Sequence, residues 1–245
     1  MPDELIIFLV GLVTSFLAGL SGGGAGLIIL PVLIGLGLGP IESLGALKMG
    51  LIGLVVSSLF SKSARPHVRK DHLRPLILIA AVASVLGPLL AFNLTDSQVK
   101  FFSGGLILVV AVASLLTWKI ASHTRQVSKK SEYIGYASYF VGGAVLAGFG
   151  AGVSLLNNYI VIGLLGMSSL ESISTRRMVG LVAVPIQFLM FALGGQVNYP
   201  AGWILIGAMA IGGLLGLNYA VKKGNEFVKK VMAATAIVLV ILLFT

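Results

Sequence analysis

The chain has 245 residues, of which 57% are hydrophobic and 10% are charged, and 32 are glycine. A water-soluble domain carries about 25% charged residues, so this composition excludes one and indicates a polytopic membrane protein. The formal net charge is +9, but the basic residues lie in short loops between apolar segments, which indicates membrane topology rather than a nucleic-acid interface. The chain has no cysteine, which excludes disulfides, thiolate metal sites and thiol chemistry.

The first apolar stretch, from Leu5 to Ile41, is too long for one crossing. As a single helix it would measure about 55 Å, against a hydrocarbon core of about 30 Å. Glycines at 22–24 divide it, so we predict helices at 5–20 and 25–39. Residues 1–4 contain no Lys or Arg, so we expect the first segment to be retained rather than cleaved as a signal peptide.

Eight more apolar segments follow, which makes ten in all. We predict them at 43–61, 75–92, 98–118, 133–149, 154–168, 172–194, 201–221 and 228–245. The polar intervals between them have linker length and cannot hold a soluble domain. Four aromatic residues fall at span ends, as is typical of the membrane interface: Trp118, Tyr133, Tyr199 and Trp203.

The two halves of the chain resemble each other at a constant offset of 129 residues. The offset pairs glycine-rich and charged positions: Ala18 with Ala147, Glu42 with Glu171, and Lys48 with Arg177. Chance similarity between apolar segments would not align charged residues in this way. We therefore predict two transmembrane repeats, 1–118 and 133–245, joined by a cytoplasmic linker at 119–132.

The distribution of basic residues predicts the orientation of these repeats. Fifteen of the 17 Lys and Arg residues lie in four intervals, which we expect to face the cytoplasm: 62–74, 119–130, 176–177 and 222–230. The basic loop 62–74 corresponds by the offset to 191–203, which has no basic residue. Equivalent loops thus face opposite sides, so we predict inverted repeats with both chain termini outside.

The glycine break and its counterpart near 148–154 form the first candidate site. A break within a bilayer leaves backbone groups that protein, water or a ligand must meet, and the N-terminal end of the helix that follows favours an anion. The candidate substrate contacts here are Gly22, Gly23, Gly24 and Gly152. Close helix packing is the alternative, because Gly19/Gly23 and Gly22/Gly26 are also pairs of small residues at the spacing that membrane helices use for contact.

Polar side chains beside the breaks extend the candidate site. They are Ser21, Ser154, Asn157, Asn158 and, mid-span beside Pro185, Gln187. The two asparagines replace apolar residues of the first repeat, so they either contact a hydrophilic substrate or cap the break. The serines can donate hydrogen bonds, although serine in a membrane helix often bonds its own backbone.

Lys48 and Arg177 each lie a turn or two inside a predicted span. A fixed cation at each entrance would attract an anion and balance its charge. The alternative is that both side chains snorkel to the interface or pair with Glu42 and Glu171.

All eight acidic residues lie in termini, loops or span ends, which disfavours cation transport through a buried carboxylate relay. Glu42 and Glu171 are the candidates for coupling to protons or for gating. A faint metal-ligand pattern at His67, Asp71 and His72 is expected to be solvated in its basic loop. No catalytic or nucleotide-binding motif is found, so we expect neither an enzyme nor a cofactor.

The run from Gly19 to Pro31, Gly-Leu-Ser-Gly-Gly-Gly-Ala-Gly-Leu-Ile-Ile-Leu-Pro, with its twin after Gly148 and the repeated glutamates, resembles the sulfite exporter TauE/SafE family, also called the toluene sulfonate uptake permease family. The resemblance covers essentially the whole chain. It implies a prokaryotic inner-membrane carrier for sulfite, sulfoacetate or related organosulfonates, with export the commoner assignment. The second break departs from the motif at three positions, so the two half-sites need not bind equally: Ala151, Val153 and Ile160.

These observations predict an all-α secondary transporter that moves a small sulfur-containing anion by alternating access. The expected partners are the anion and membrane lipid, with no nucleic acid. An anion channel of the same fold and a non-transporting membrane assembly subunit stay open as alternatives, as do proton coupling and a homodimer.

Overall fold

The structure is a computed structural model that describes residues 2–92, 98, 122–146 and 153–244. These residues form nine α-helices and no strand, which confirms the predicted all-α class. The helices are α1 (Pro2–Ser21), α2 (Ala25–Gly35), α3 (Pro40–Ser57), α4 (Lys70–Ala91), α5 (Lys129–Leu146), α6 (Val153–Leu164), α7 (Ser169–Leu193), α8 (Tyr199–Lys223) and α9 (Asn225–Phe244). Two 3₁₀ turns, Ser58–Phe60 and Arg65–His67, connect α3 to α4. The predicted span 98–118, with Trp118, lies outside the described residues apart from position 98.

Five of the described helices are long and apolar enough to cross a membrane: α1, α3, α4, α7 and α8. Helices α2 and α6, with 11 and 12 residues, are each too short to cross a core of about 30 Å at a rise of about 1.5 Å per residue. Large apolar side chains face outward along the long helices, and Leu5, Leu78 and Leu193 are each more than half exposed. Such a surface is stable in lipid, so the chain is an integral membrane protein.

The break between α1 and α2 occurs at the predicted glycines. Gly22 and Gly24 adopt left-handed φ angles of 75° and 98°, a conformation that glycine adopts without steric cost. A Cβ atom on Gly23 would lie 2.8 Å from Cβ of Ser154 and 2.9 Å from the backbone nitrogen of Leu155. The glycine run therefore supplies both the backbone conformation of the break and its close approach to the start of α6.

Gly19 has a different role, which separates the two interpretations of the glycine-rich segment. A Cβ atom there would lie 2.7 Å from Cα of Gly216 and 2.8 Å from the backbone nitrogen of Leu217. Gly19 thus allows α1 and α8 to cross at close range, as the packing interpretation expects. The packing interpretation holds for Gly19, and the break begins one turn later.

Helices α1, α3 and α8 run parallel to one another. Contacts between α1 and α8 advance along both helices, from Gly11 beside Ala208 to Gly19 beside Gly216. Contacts between α3 and α8 advance in the same way, and they are Gly50 with Leu205, Gly53 with Ile206 and Leu54 with Gly213. We call these three helices the first group.

Helices α4, α5 and α7 form a second parallel group. Helix α4 follows α5 from the His72–Tyr136 contact to the Ala83–Gly143 contact. Along α7, the backbone of Arg69 just before α4 bonds Thr175, and further on Ser84 bonds Gln187. The two groups run antiparallel, because contacts between α3 and α7 progress in opposite directions: Lys48 with Gln187 and Leu54 with Arg177.

The loops with most of the basic residues meet at one end of the molecule. Glu171, at the start of α7, accepts a hydrogen bond from Thr124 Oγ1 at 2.7 Å and lies 3.9 Å from Nη1 of Arg69. The neighbouring backbone nitrogen of Leu170 donates to Oδ1 of Asn225 at 2.8 Å. Segments near 62–74, 122–132, 168–177 and 222–230 thus share one end, as the positive-inside rule requires of them.

Candidate anion-binding site

A cavity of about 150 Å³ lies where the break between α1 and α2 faces α3, α4, α6 and α7. Gly22, Gly23 and Gly24 form one wall. The polar side chains that line the rest are Lys48, Ser84, Tyr139, Ser154, Asn157, Arg176, Arg177 and Gln187. Among the described lining residues, three are cationic and none carries a carboxylate. The resulting excess of positive charge favours an anionic ligand.

Lys48, from α3, is oriented in the cavity by a neutral side chain. It is only 4% exposed, and its Nζ donates to Oε1 of Gln187 at 2.8 Å. Gln187 in turn donates from Nε2 to Oγ of Ser84 at 3.1 Å. This places Gln187 in the cavity, as predicted for a polar residue mid-span. Lys48 does not snorkel to the interface, and the amide positions its charge without neutralising it.

Arg177, from α7, is buried to a similar extent, with 5% exposed. Its Nη1 donates to the backbone oxygen of Leu54 at 2.8 Å, in the last turn of α3, where helix carbonyls carry partial negative charge. Its Nη2 has no hydrogen-bond partner among the described residues. A guanidinium with an unused donor, buried beside a cavity, is suited to an oxyanion.

The two asparagines divide between the two interpretations. Asn158 is fully buried, and its Nδ2 donates to the backbone oxygen of Ser21 at 3.2 Å, while its Oδ1 accepts from Oγ of Ser172 at 2.8 Å. It therefore caps the end of α1. Asn157 lines the cavity, and its Oδ1 has no partner in the described part of the chain. Its amide can present either an NH₂ donor or an oxygen to a ligand.

The two serines also differ. Ser21 is fully buried, and its Oγ bonds the backbone oxygens of Leu17 at 2.9 Å and Gly23 at 2.8 Å. It thus binds its own backbone, the alternative left open by the sequence, and is not one of the cavity-lining residues. Ser154 does line the cavity. Gly152 lies outside the described residues.

Neither candidate gating glutamate lines the cavity. Glu42 is exposed in the first turn of α3. Glu171 forms a capping box with Ser168, in which Glu171 Oε2 accepts from the Ser168 backbone nitrogen at 2.8 Å. That arrangement stabilises the start of α7. A role of either glutamate in gating stays a prediction.

Three polar side chains of the cavity were missed by the sequence analysis: Ser84, Tyr139 and Arg176. Arg176 was counted only as a basic residue of a cytoplasmic interval, although its position beside Arg177 was a signal that both cations are near the site. Its Nη1 donates to the backbone oxygen of Ser154, to Oδ1 of Asn158 at 2.8 Å and to the backbone oxygen of Gly22 at 3.4 Å. Ser84 had no signal, because one serine in an apolar span is unremarkable in sequence.

The expectation that His72 is solvated is wrong. Asp71 and His72 belong to α4, which begins at Lys70, and His72 is 4% exposed. Its Nδ1 lies 2.7 Å from Oη of Tyr136 on α5, because α4 and α5 pack side by side. The described residues contain no cluster of three metal-ligating side chains.

The chain is similar to several known proteins. The profile of the family described as sulfite exporter TauE/SafE matches residues 7–243. A probable membrane transporter protein of Haemophilus influenzae is 25% identical over 91% of this chain and 88% of its own length. The probable membrane transporter protein ORF9 of a Sinorhizobium species is 25% identical over 96% of this chain and 90% of its own length. The probable membrane transporter protein YfcA of Escherichia coli K12 is 21% identical over 96% of this chain and 87% of its own length. No solved structure matches the chain.

Proposed function

This chain belongs to the sulfite exporter TauE/SafE family, and we propose that it is a secondary transporter that exports a small sulfur-containing anion across the prokaryotic inner membrane. The substrate would be sulfite, sulfoacetate or a related organosulfonate. The observation that carries the proposal is the cavity that buries Lys48 and Arg177 with no carboxylate among its described lining residues. Family membership and the relatives' names support membrane transport, and the cavity supports an anion as the cargo.

The size of the cavity favours a substrate of few atoms. Its volume is about 150 Å³, whereas pockets for drug-sized ligands measure about 300–1,000 Å³. The small or apolar side chains of Leu51, Ala80 and Ala83 line part of it and would accommodate the short carbon chain of an organosulfonate. Lys48, Arg177 and Asn157 would bind the oxygens of the anionic group.

The directions of the helices support two inverted repeats, residues 1–118 and 133–245, joined by the linker 119–132. By the offset of 129 residues, α1 to α4 correspond to α5 to α8. Helices α1 and α3 run antiparallel to their counterparts α5 and α7, and α4 runs antiparallel to α8. The packing is also reciprocal, because α1 packs on α8 as α5 packs on α4.

This arrangement suits alternating access. The cavity lies between the two groups of helices and is lined by both repeats, where inverted-repeat carriers bind their substrates. Rocking of one group against the other would expose the same cations first to one side and then to the other. Lys48 and Arg177, each eight positions after the start of its helix, would then serve the same anion from opposite entrances.

Transport by purified protein in proteoliposomes tests the proposal. Uptake of labelled sulfite, sulfoacetate, taurine and sulfate would be measured with and without unlabelled anion inside, and with an imposed pH gradient. We expect saturable uptake that preloaded anion stimulates, and a response to the gradient would indicate proton coupling. Unsaturable flux would indicate a channel, and no flux of any anion would favour an assembly subunit.

A further inference from the structure

Arg176 links the break between α1 and α2 to the start of α6, where the second break is predicted. It is half-buried, and its Nη1 donates to the backbone oxygen of Gly22 at the end of α1 and to the backbone oxygen of Ser154 at the start of α6. Lys48 donates to Gln187, and Arg177 donates to Leu54. One guanidinium therefore holds together two segments that belong to different halves of the chain.

Asn158 extends this bridge into a network. Its Oδ1 accepts from Arg176 Nη1 and from Ser172 Oγ, both at 2.8 Å, and its Nδ2 donates to the backbone oxygen of Ser21 at 3.2 Å. The network thus joins the end of α1 to α6 and α7. The contacts of Asn158 with Ser21 and Ser172 are buried, so each is stronger than it would be at a surface, and losing the Arg176 donor would loosen the network.

The first repeat has an apolar residue at the position equivalent to Arg176. The offset of 129 residues places Leu47 at the position equivalent to Arg176. Leu47 is fully buried and cannot donate a hydrogen bond. The second repeat therefore provides a guanidinium to the junction of the breaks, and the first repeat provides none at the matching position.

We propose that Arg176 couples binding of the anion to the relative movement of the two repeats, an inference that rests on the proposed transport function. An oxyanion in the cavity competes for the N–H groups of Arg176, and a full negative charge is a better acceptor for a guanidinium than an amide oxygen. Nε of Arg176 is buried and has no partner among the described residues, so the side chain has a donor to offer the anion at once. When the guanidinium turns toward the anion, Gly22 and Ser154 lose their shared donor.

This exchange of partners gives the anion a different affinity for the two conformations. A ligand shifts a conformational equilibrium only by its differential affinity for the two states. The conformation in which Arg176 holds the breaks together has one donor group fewer for the anion, and the conformation with the breaks released has that group available. Binding of the anion therefore favours release.

A variant that keeps the positive charge but lacks the planar set of guanidinium N–H donors tests this coupling. Arg176→Lys retains the cation, but its single ammonium group cannot reproduce the planar geometry that meets acceptors from both breaks. The matched control is Arg74→Lys, which changes an exposed arginine of α4. Both would be made in a Leu51→Cys background, because Leu51 lines the cavity and the natural chain contains no cysteine.

Three quantities would be compared. The first is the Kd of sulfoacetate by calorimetry, the second is the rate of maleimide labelling of the cysteine with and without sulfoacetate, and the third is the exchange of labelled sulfoacetate stimulated by preloaded anion. The parent for comparison is the Leu51→Cys protein. For Arg176→Lys we expect a Kd within about threefold of the parent's value and no change in the labelling rate when sulfoacetate is added. The exchange rate should fall about tenfold, a typical coupling factor. The Arg74→Lys control should match the parent in all three.

The outcomes separate this inference from the proposed function. If Arg176→Lys shows the parent's labelling response and exchange, Arg176 is not the coupling residue. If binding and exchange fall by the same factor, Arg176 only contributes affinity, and the inference is also wrong. If the natural chain, which keeps Leu51, binds and exchanges neither sulfoacetate nor sulfite, the proposed function fails. Arg176→Leu, which copies the first repeat, serves as the second variant if the lysine variant does not elute as a single species.

Discussion

The buried cations define the site at the level of single residues. A lysine or arginine at the centre of a membrane helix costs about 2.5–3.5 kcal/mol on insertion scales. Lys48 and Arg177 both bear this cost, and their hydrogen bonds to Gln187 and Leu54 leave the positive charges without a carboxylate among the described lining residues. An anion that enters the cavity would offset this unfavourable burial.

Removing the charge of Lys48 should weaken the binding of the anion. Lys48→Met keeps an unbranched stem of similar length, and hydrogen bonds to charged groups contribute about 1.5–3 kcal/mol, so we expect the apparent KM for sulfite uptake to rise by at least about tenfold. Insertion into the membrane should be retained. The measurement is the concentration dependence of initial uptake, with Lys62→Met at an exposed loop position as control. An unchanged KM would remove Lys48 from the site.

Substitution of the two asparagines should affect stability and uptake differently. Asn158→Ala removes the partner of Ser21, Ser172 and Arg176, so we expect a loss of about 1–3 kcal/mol of stability and a lower Tm in detergent. Asn157→Ala removes a cavity-lining amide whose Oδ1 has no partner among the described residues, so we expect the Tm to be unchanged and uptake to be reduced. Thermal unfolding and uptake measured on both variants test this difference, and the opposite pattern would reverse the two assignments.

At the level of the helices, the break between α1 and α2 packs against the start of α6. Short α2 and α6 cannot cross the membrane alone, so each depends on its partners for burial. At Gly23 the interrupted segment between α1 and α2 meets the start of α6 with the two backbones almost touching. Irregular backbone at membrane depth is tolerated where it is buried in protein or lines a cavity, and both conditions hold here.

Adding one methyl group at this contact should separate the breaks. Gly23→Ala would place Cβ 2.9 Å from the backbone nitrogen of Leu155, which cannot move without displacing α6. We expect a loss of stability of about 1–3 kcal/mol, the usual cost of overpacking, together with reduced uptake. The matched control is Gly207→Ala, on the exposed side of α8, where a Cβ atom would have no neighbouring atom of the described residues within 4 Å. This variant should not lose stability. A Tm for Gly23→Ala equal to that of the control would show that the contact is not tight.

At the level of the whole molecule, two antiparallel groups of helices enclose the cavity. The loops that hold most of the basic residues lie at one end, and the loop between α7 and α8 lies at the other, beside Gly45 in the second turn of α3. A membrane potential and anionic lipids on the cytoplasmic side favour one orientation of such a charge distribution. This gives the prediction that the basic end faces the cytoplasm.

Labelling of single cysteines tests the orientation in a chain that has none. Gln126→Cys lies in the linker at the basic end, and Leu193→Cys lies at the last residue of α7, and both positions are exposed. With a membrane-impermeant maleimide, we expect Gln126→Cys to react only in inside-out vesicles and Leu193→Cys only in right-side-out vesicles. Reaction of both cysteines in the same type of vesicle would contradict the predicted crossing of α7. If each cysteine instead reacted only in the other type of vesicle, the basic end would face the outside and the predicted orientation would be wrong.

The sequence by itself determined the features that depend on local chemistry. Hydropathy and length were sufficient to predict the membrane class and the nine described helices to within about five residues, because a lipid environment requires long apolar helical segments. Three consecutive glycines predicted the break, because the left-handed backbone of Gly22 and Gly24 is a local property. The candidate cavity residues Lys48, Arg177 and Gln187 were also chosen from sequence, since a charge or amide inside an apolar span is visible without a structure.

Only the tertiary structure decided which of these residues face one another. Lys48 and Gln187 are separated by 139 positions and meet because α3 and α7 cross, a relation that no local pattern encodes. Adjacent residues on a helix point in different directions, so Asn157 lines the cavity while Asn158 caps α1, although the sequence treats them alike. Arg176 became a bridge between the breaks for the same reason: its acceptors, Gly22, Ser154 and Asn158, come from segments that only the packing of both halves brings together.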